Sequence, residues 1–340
     1  MQAVLVTAPG VIELREVPTP AVGPYQALVK IEAFSLCNST DTKIIDRHFV
    51  SSIPLPLVIG HESAGVVVKL GSKVQSYQIG QRVLRAGAYY PPEVGISSAW
   101  GAFAEYGLVT DVSAWSADHS GQQASGQWYA QQIVPPNIPP AEATALINLK
   151  ETLSAVRAAG VDETTWTAIV GSGPVAHGMC FWAHWLKAPF LVVFGRSERW
   201  CHDFLDLGAN YYMAGRQPCT KDETKIAGVN AFDRVIEAVG SVQALEDSLA
   251  LARPDGRVAN YGVASESDIP TQAVRDGRAQ GRIYDITVRE QEEHKTVLAG
   301  VANGEVVLSD WISHRLPLSC IKEGFDMVRR KEALKVVIEL

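Results

Sequence analysis

Residues 166–199 read Trp-Thr-Ala-Ile-Val (166–170), Gly-Ser-Gly-Pro-Val-Ala (171–176), a helix-like run to Lys187, and Leu-Val-Val-Phe-Gly-Arg-Ser-Glu-Arg (191–199). An apolar strand, a Gly-x-Gly-x-x-Ala turn, an apolar-faced helix and a second apolar strand make a βαβ unit of about 30 residues. That is the context a dinucleotide fingerprint requires. Gly171 permits the tight turn, and Gly173 has no side chain to block a pyrophosphate approaching the helix N-terminus. Ala176 stands where only a small residue lets helix and strand pack closely. Pro174 suits the helix start, because its missing N–H would have been unpaired there anyway. Ser172 and Val175 complete the turn as candidate cofactor contacts. The alternative is a Gly-rich turn without a ligand, and the full strand–turn–helix–strand context argues against it.

The end of the second strand bears on which nucleotide is bound. NAD-binding chains usually place a carboxylate there, accepting hydrogen bonds from the ribose hydroxyls. This chain has Gly195, then Arg196, Ser197 and Arg199. Without a carboxylate nothing repels a 2′-phosphate, and two guanidiniums can pair with it. NADP(H) is therefore expected over NAD(H). The plainer reading of the arginines is solvated charge at a helix start.

With 340 residues, the chain is long enough for two domains, each with its own core. A net charge of −7 and the lack of a Lys/Arg block argue against nucleic acid and anionic membrane as partners. The N-terminus shows no signal-like pattern, and no apolar run reaches the length of about 18 residues needed to span a bilayer. The five cysteines (37, 180, 201, 219 and 320) form no CxxC pair. Reduced thiols and a cytoplasmic location are expected.

The first 110 residues read as β-rich, with short Val/Ile-rich runs at 2–6, 11–17, 26–33 and 63–70 broken by Gly and Pro. Residues 111–132 are polar and read as an inserted loop. A helical pattern covers 140–159. Beyond Arg199 strands and helices alternate, with strands expected at 232–238, 257–261 and 282–288. Such alternation predicts a doubly wound parallel sheet. The tail from about 290 ends in a strand at 335–339, which is expected to return to the first domain.

Several motifs stand in order: Gly60-His61-Glu62 after an apolar run, Gly80-x-Arg82-Val83, Gly101-Ala102-Phe103-Ala104-Glu105-Tyr106, the nucleotide unit, 232–240 and Gly256-Arg257-Val258. In this order and spacing the chain resembles the medium-chain dehydrogenase/reductase superfamily, in its zinc-type alcohol dehydrogenase branch. The resemblance implies an α/β protein with two domains. The first is a GroES-like, β-rich catalytic domain at 1–153, rejoined by 291–340. The second is a doubly wound Rossmann nucleotide-binding domain at 154–290, with the active site in the cleft between them. Val239 and Gly262 then join the candidate cofactor-binding set.

Cys37, His61 and Glu62 offer a thiolate, an imidazole and a carboxylate, a ligand set that zinc accepts in open catalytic sites. On its own a Cys so far from a His-Glu pair reads as core; with the resemblance it reads as a ligand. Two departures stand out. Relatives commonly carry Cys or Glu at the head of the helix expected near 148, where this chain has Asn148, a poor zinc ligand beside a thiolate. Polyol-dehydrogenase relatives manage with Cys, His, Glu and water, and Glu151 is a further candidate. Relatives also place an Asp three residues after the Cys to orient the metal-bound His, whereas Asp41 stands four residues after Cys37.

Ser39, or Thr40 if the register slips, matches the hydroxyl that starts a proton relay in relatives. His48 continues it or is incidental. Thr152 matches a nicotinamide contact, or its hydroxyl bonds its own helix. Residues 82–99 contain no cysteine, so one catalytic zinc and no structural zinc are expected. Tyr89, Tyr90 and Trp100 are candidate substrate-pocket residues. The leading expectation is a zinc-dependent, NADPH-preferring oxidoreductase interconverting a secondary alcohol and a ketone or aldehyde. The alternative is a zinc-altered reductase of the same fold acting on an activated C=C or C=N bond. The partner is a small-molecule alcohol or carbonyl substrate, and relatives suggest a homodimer or homotetramer paired through the 282–288 edge strand.

Overall fold

The computed structural model describes residues 1–214, 217–220 and 231–340, the 217–220 strand by its backbone alone. They form two compact units, Met1–Ile147 with His294–Leu340, and Asn148–Glu293.

The first unit is built on two sheets. In the smaller one, Gln2–Ala8 lies between Val11–Glu16 and the short strand Leu57–Val58, which pairs with Ser97–Ser98. The larger sheet runs His314–Pro317, Val336–Glu339, Gln26–Ser35, Ser63–Leu70, Arg82–Leu84, Ile133–Val134, and Tyr106–Thr110 also pairs with Gln26–Ser35. Gln26–Ser35 buries Ala27, Val29, Ile31 and Ala33, every second residue, as a strand with one face on a core must. That core gathers Val29, Ile31, Phe34, Phe103 and, from the C-terminal helix Ile321–Arg329, Phe325. The Phe34 and Phe103 rings stack 4.4 Å apart. The last strand, Val336–Glu339, pairs antiparallel with residues 33–35, so the tail is part of the first unit's larger sheet.

The 111–132 stretch is not an irregular loop. It folds into two short helices, Val112–Asp118 and Gly126–Tyr129, with Asp111 capping the first by accepting the Ala114 N–H.

The second unit is a seven-stranded sheet. Its six parallel strands follow the order Tyr211–Ala214, Phe190–Gly195, Trp166–Val170, Phe232–Glu237, Ala252–Asn260, Ile283–Asp285. Numbered along the chain, this is the doubly wound order 3-2-1-4-5-6. Residues 167–170 are buried without interruption, because helices cover both faces of a parallel sheet. The edge strand is shorter than the expected 282–288. Cys201 is disulfide-bonded, a departure from the expectation of reduced thiols; Cys37, Cys180 and Cys320 are free. No helix among the described residues is long and apolar enough to cross a membrane.

Candidate active site

The end of the Gln26–Ser35 strand brings two distant pieces of chain together. Gly60 adopts φ +95°, and a Cβ there would sit 2.1 Å from the Phe103 ring, so only glycine allows this turn. The turn lays residue 62 against the strand, where the Ser35 N–H donates to the Glu62 carbonyl at 2.9 Å. His61 and Glu62 thereby stand beside Cys37. One donor atom from each of Cys37, His61 and Glu62 lies within 4.8 Å of the others.

Asp41 organises this group. It sits in the first turn of the helix Thr40–Ile45, fully buried, and its Oδ2 accepts the Cys37 N–H at 2.8 Å. Its Oδ1 lies 3.2 Å from His61 Nδ1. Nδ1 is thus turned to the carboxylate, while Nε2 faces Glu62 Oε1 at 3.8 Å. The other Glu62 oxygen accepts the Ser35 hydroxyl and Lys335 Nζ, the latter at 2.6 Å. Burial alone would lower the His61 pKa, but the Asp41 carboxylate, and after it Cys37, hold it well above the ordinary imidazole value. Burial likewise opposes ionisation of Glu62, and the charges of Lys335 and His61 overcome it, leaving its pKa below the ordinary value. Arg85 donates to the His61 carbonyl at 2.8 Å, and the Trp100 ring lies 5.5 Å from the imidazole.

Ser39 is the residue that begins the Thr40–Ile45 helix, its side chain making no cap, with Thr40 next to it; both are partly buried. His48 is exposed beyond that helix. Asn148 is not at a helix head. It lies in the middle of the 19-residue helix Pro140–Ala158, because the helical pattern runs unbroken from Pro140. Thr152, fully buried, donates to the Asn148 carbonyl at 2.8 Å, which is the helix-internal bond open to such a residue. It also packs on the nucleotide helix, since a Cβ at Gly178 would lie 2.6 Å from the Thr152 hydroxyl. Tyr90 donates to the Pro18 carbonyl at 2.8 Å. Lys335, Ser35 and Arg85 escaped the sequence reading. No local pattern marks a lone Lys before an apolar strand, and its partner is 273 positions away.

In the second unit the candidate nucleotide residues collect at the carboxyl ends of the parallel strands. Gly171 leaves Trp166–Val170 at φ +133°, its N–H bonded to the Phe194 carbonyl at 2.8 Å. Gly173 caps the helix Pro174–Trp185, Pro174 is its first residue, and Ala176 is buried beneath it. A Cβ on Gly173 would meet nothing within 4 Å, so the space in front of the helix is open. Ser172 and Val175 are partly buried at the same turn. Gly195 ends the next strand; Arg196 and Ser197 are exposed after it, and Ser197 Oγ accepts the Arg199 N–H at 3.3 Å. The Arg199 guanidinium lies over the Trp200 ring at 4.6 Å. The remaining loops are tied through Glu237, a buried carboxylate the sequence reading did not single out. It accepts the Val239 and Gly240 N–H groups at 2.7 and 2.8 Å, and its carbonyl accepts that of Gly262 at 3.0 Å. In doubly wound folds the carboxyl edge where strand order reverses is where ligands bind.

Comparison with known proteins agrees with this arrangement. The profile of the alcohol dehydrogenase GroES-like domain matches residues 23–118, and that of zinc-binding dehydrogenases matches 174–303. The chain belongs to the zinc-type alcohol dehydrogenase branch of the medium-chain dehydrogenase/reductase superfamily. It is 26% identical to a sorbitol dehydrogenase of Bombyx mori, covering 97% of this chain and 95% of that one. It is 29% identical to an L-threonine 3-dehydrogenase of Stenotrophomonas maltophilia, over 96% of each. The solved alcohol dehydrogenase TADH from Thermus sp. ATN1 superposes with a TM-score of 0.78 at 25% identity, over 100% and 99% of the chains. This dehydrogenase is therefore an NAD(P)-dependent enzyme of alcohol oxidoreduction, with a GroES-like domain and a Rossmann-like domain.

Proposed function

We propose that the protein is a zinc-dependent, NADPH-preferring dehydrogenase that interconverts a secondary alcohol and a ketone or aldehyde. The observation that carries this reading is the Cys37, His61 and Glu62 group, with three donor types within 4.8 Å. The donor set fits zinc: His61 has Nδ1 turned to a buried carboxylate, and Glu62 has one oxygen tied down and the other facing the imidazole.

When bound, zinc supplies Lewis-acid polarisation of the substrate oxygen, and the nicotinamide exchanges the hydride. Cys37, His61 and Glu62 would hold the ion. Asp41 fixes the tautomer of His61, keeping the Nε2 lone pair available. Ser39 or Thr40 relays the proton of the alcohol, accepting it while passing on its own hydroxyl proton, and the exposed His48 delivers it to solvent. Gly171–Val175, with Val239 and Gly262, hold the dinucleotide, and Arg196, Ser197 and Arg199 receive the 2′-phosphate. The exposure of Arg196 beside Gly195 supports NADPH over NADH, because a carboxylate is missing where one would repel the phosphate.

Metal content per chain, by elemental mass spectrometry on protein purified without chelator, tests the reading. About one zinc per chain is expected, as for an open catalytic site, and Cys37→Ala should remove both metal and alcohol oxidation. A chain that holds no zinc yet oxidises NADPH with an enone or iminium would replace this reading with double-bond reduction.

A further inference from the structure

Position 195 is where a doubly wound fold specific for the unphosphorylated cofactor carries its ribose-binding carboxylate. In this protein a side chain has no room there. A Cβ on Gly195 would lie 2.1 Å from the Tyr212 hydroxyl, 2.7 Å from Tyr212 Cζ and 2.8 Å from Ser172 Cβ. Non-bonded carbons approach no closer than about 3.5 Å without repulsion.

Tyr212 cannot easily step aside. It is fully buried, its ring stacks on Phe204 at 5.1 Å with planes 8° apart, and its backbone pairs with Val193 in the sheet. Its hydroxyl donates to the Ser197 carbonyl at 2.6 Å, and Ser172 Cβ borders the same space. One phenol therefore fills the space of the missing side chain. It also ties down, through Ser197, the loop that carries Arg196 and Arg199, with Ser172 of the glycine turn beside it.

We propose that Tyr212 determines nucleotide specificity: it excludes a carboxylate at position 195 and holds the Ser197 loop in place for a 2′-phosphorylated dinucleotide. The inference rests on the NADPH reading above.

Calorimetric titration of the purified full chain with NADPH and with NADH, alongside thermal melts, tests it. Gly195→Asp alone should weaken both nucleotides by at least about tenfold and lower Tm, because the loop is pushed away. Gly195→Asp with Tyr212→Val should regain NADH binding while NADPH stays weak. Tyr212→Phe keeps the ring and removes only the tether; NADPH affinity should fall about tenfold while NADH stays within about twofold. Exclusion is overturned if Gly195→Asp alone gains NADH at unchanged Tm, or if the double variant regains none. The tether is overturned if Tyr212→Phe leaves NADPH affinity unchanged or shifts both nucleotides equally. Failure of the cofactor reading looks different: the unmodified protein would bind NADH as tightly as NADPH, whatever the variants do.

Discussion

Asp41 spans from the Cys37 amide to the His61 ring although it stands one position further from the cysteine than in relatives. The helix that starts at Thr40 makes this possible, because a carboxylate in its first turn points back toward the preceding loop. Asp41→Asn keeps the shape and removes the charge that fixes His61. Zinc affinity should fall about 10–100-fold, measured by competition with a chromophoric chelator, and unchanged affinity would show that the contact orients nothing. Gly173 gives a second prediction at this scale. Its φ is −86° and its Cβ direction is open, so Gly173→Val leaves the fold undisturbed and Tm nearly unchanged. Binding of both dinucleotides should nonetheless drop by at least about tenfold, since the valine stands where the pyrophosphate approaches. Retained binding would place the pyrophosphate elsewhere. The glycine turn was legible in the sequence from residue type and spacing, whereas Cys37 joined His61 and Glu62 as a candidate set only through the family resemblance. Lys335 was not legible, since a buried cation is recognised only through the anion it faces.

At the scale of elements, Asp111 links three segments. It caps the Val112–Asp118 helix, and its other oxygen accepts the Gln75 and Ser76 N–H groups, both at 2.7 Å. Burial would raise its pKa, but the hydrogen bonds from Ala114, Gln75 and Ser76 more than offset this and hold it below the usual carboxylate range. A depressed folded-state pKa stabilises the protein above the unfolded value of about 3.9, and that stability is lost as pH falls through the folded value. Asp111→Asn should cost about 1–3 kcal/mol at neutral pH, with the gap to the unmodified protein closing below about pH 4. Urea midpoints at both pH values check this; a gap independent of pH would assign the cost to shape alone. The two short helices after Asp111 were hidden in the sequence. They are too short to show helical periodicity. Trp115 stacks on His119 at the end of its own helix at 4.4 Å, and it is edge-on to Trp128 of the second helix at 5.3 Å, the contact that holds the two together.

At the scale of the whole molecule, the chain leaves the first unit after Ile147 and re-enters it at His294. The returning tail places Lys335 against Glu62, both almost wholly buried. Lys335→Met strands a buried carboxylate and should cost about 3–5 kcal/mol in urea unfolding of the metal-free protein. Adding Glu62→Gln should recover part of the loss; a single-variant cost under about 1 kcal/mol would mean the pair contributes no more than a surface ion pair. By itself the sequence determined the alternation of strands and helices and the glycine turn, and its motif order gave the family resemblance that joined Cys37 to His61 and Glu62. The alternation and the turn follow from periodicity and backbone freedom, which act over short stretches of chain. Only the tertiary structure decided which charge neutralises Glu62 and why position 195 must be glycine. Lys335 and Tyr212 act through space, on partners that become neighbours only when the strands take their order in the sheets.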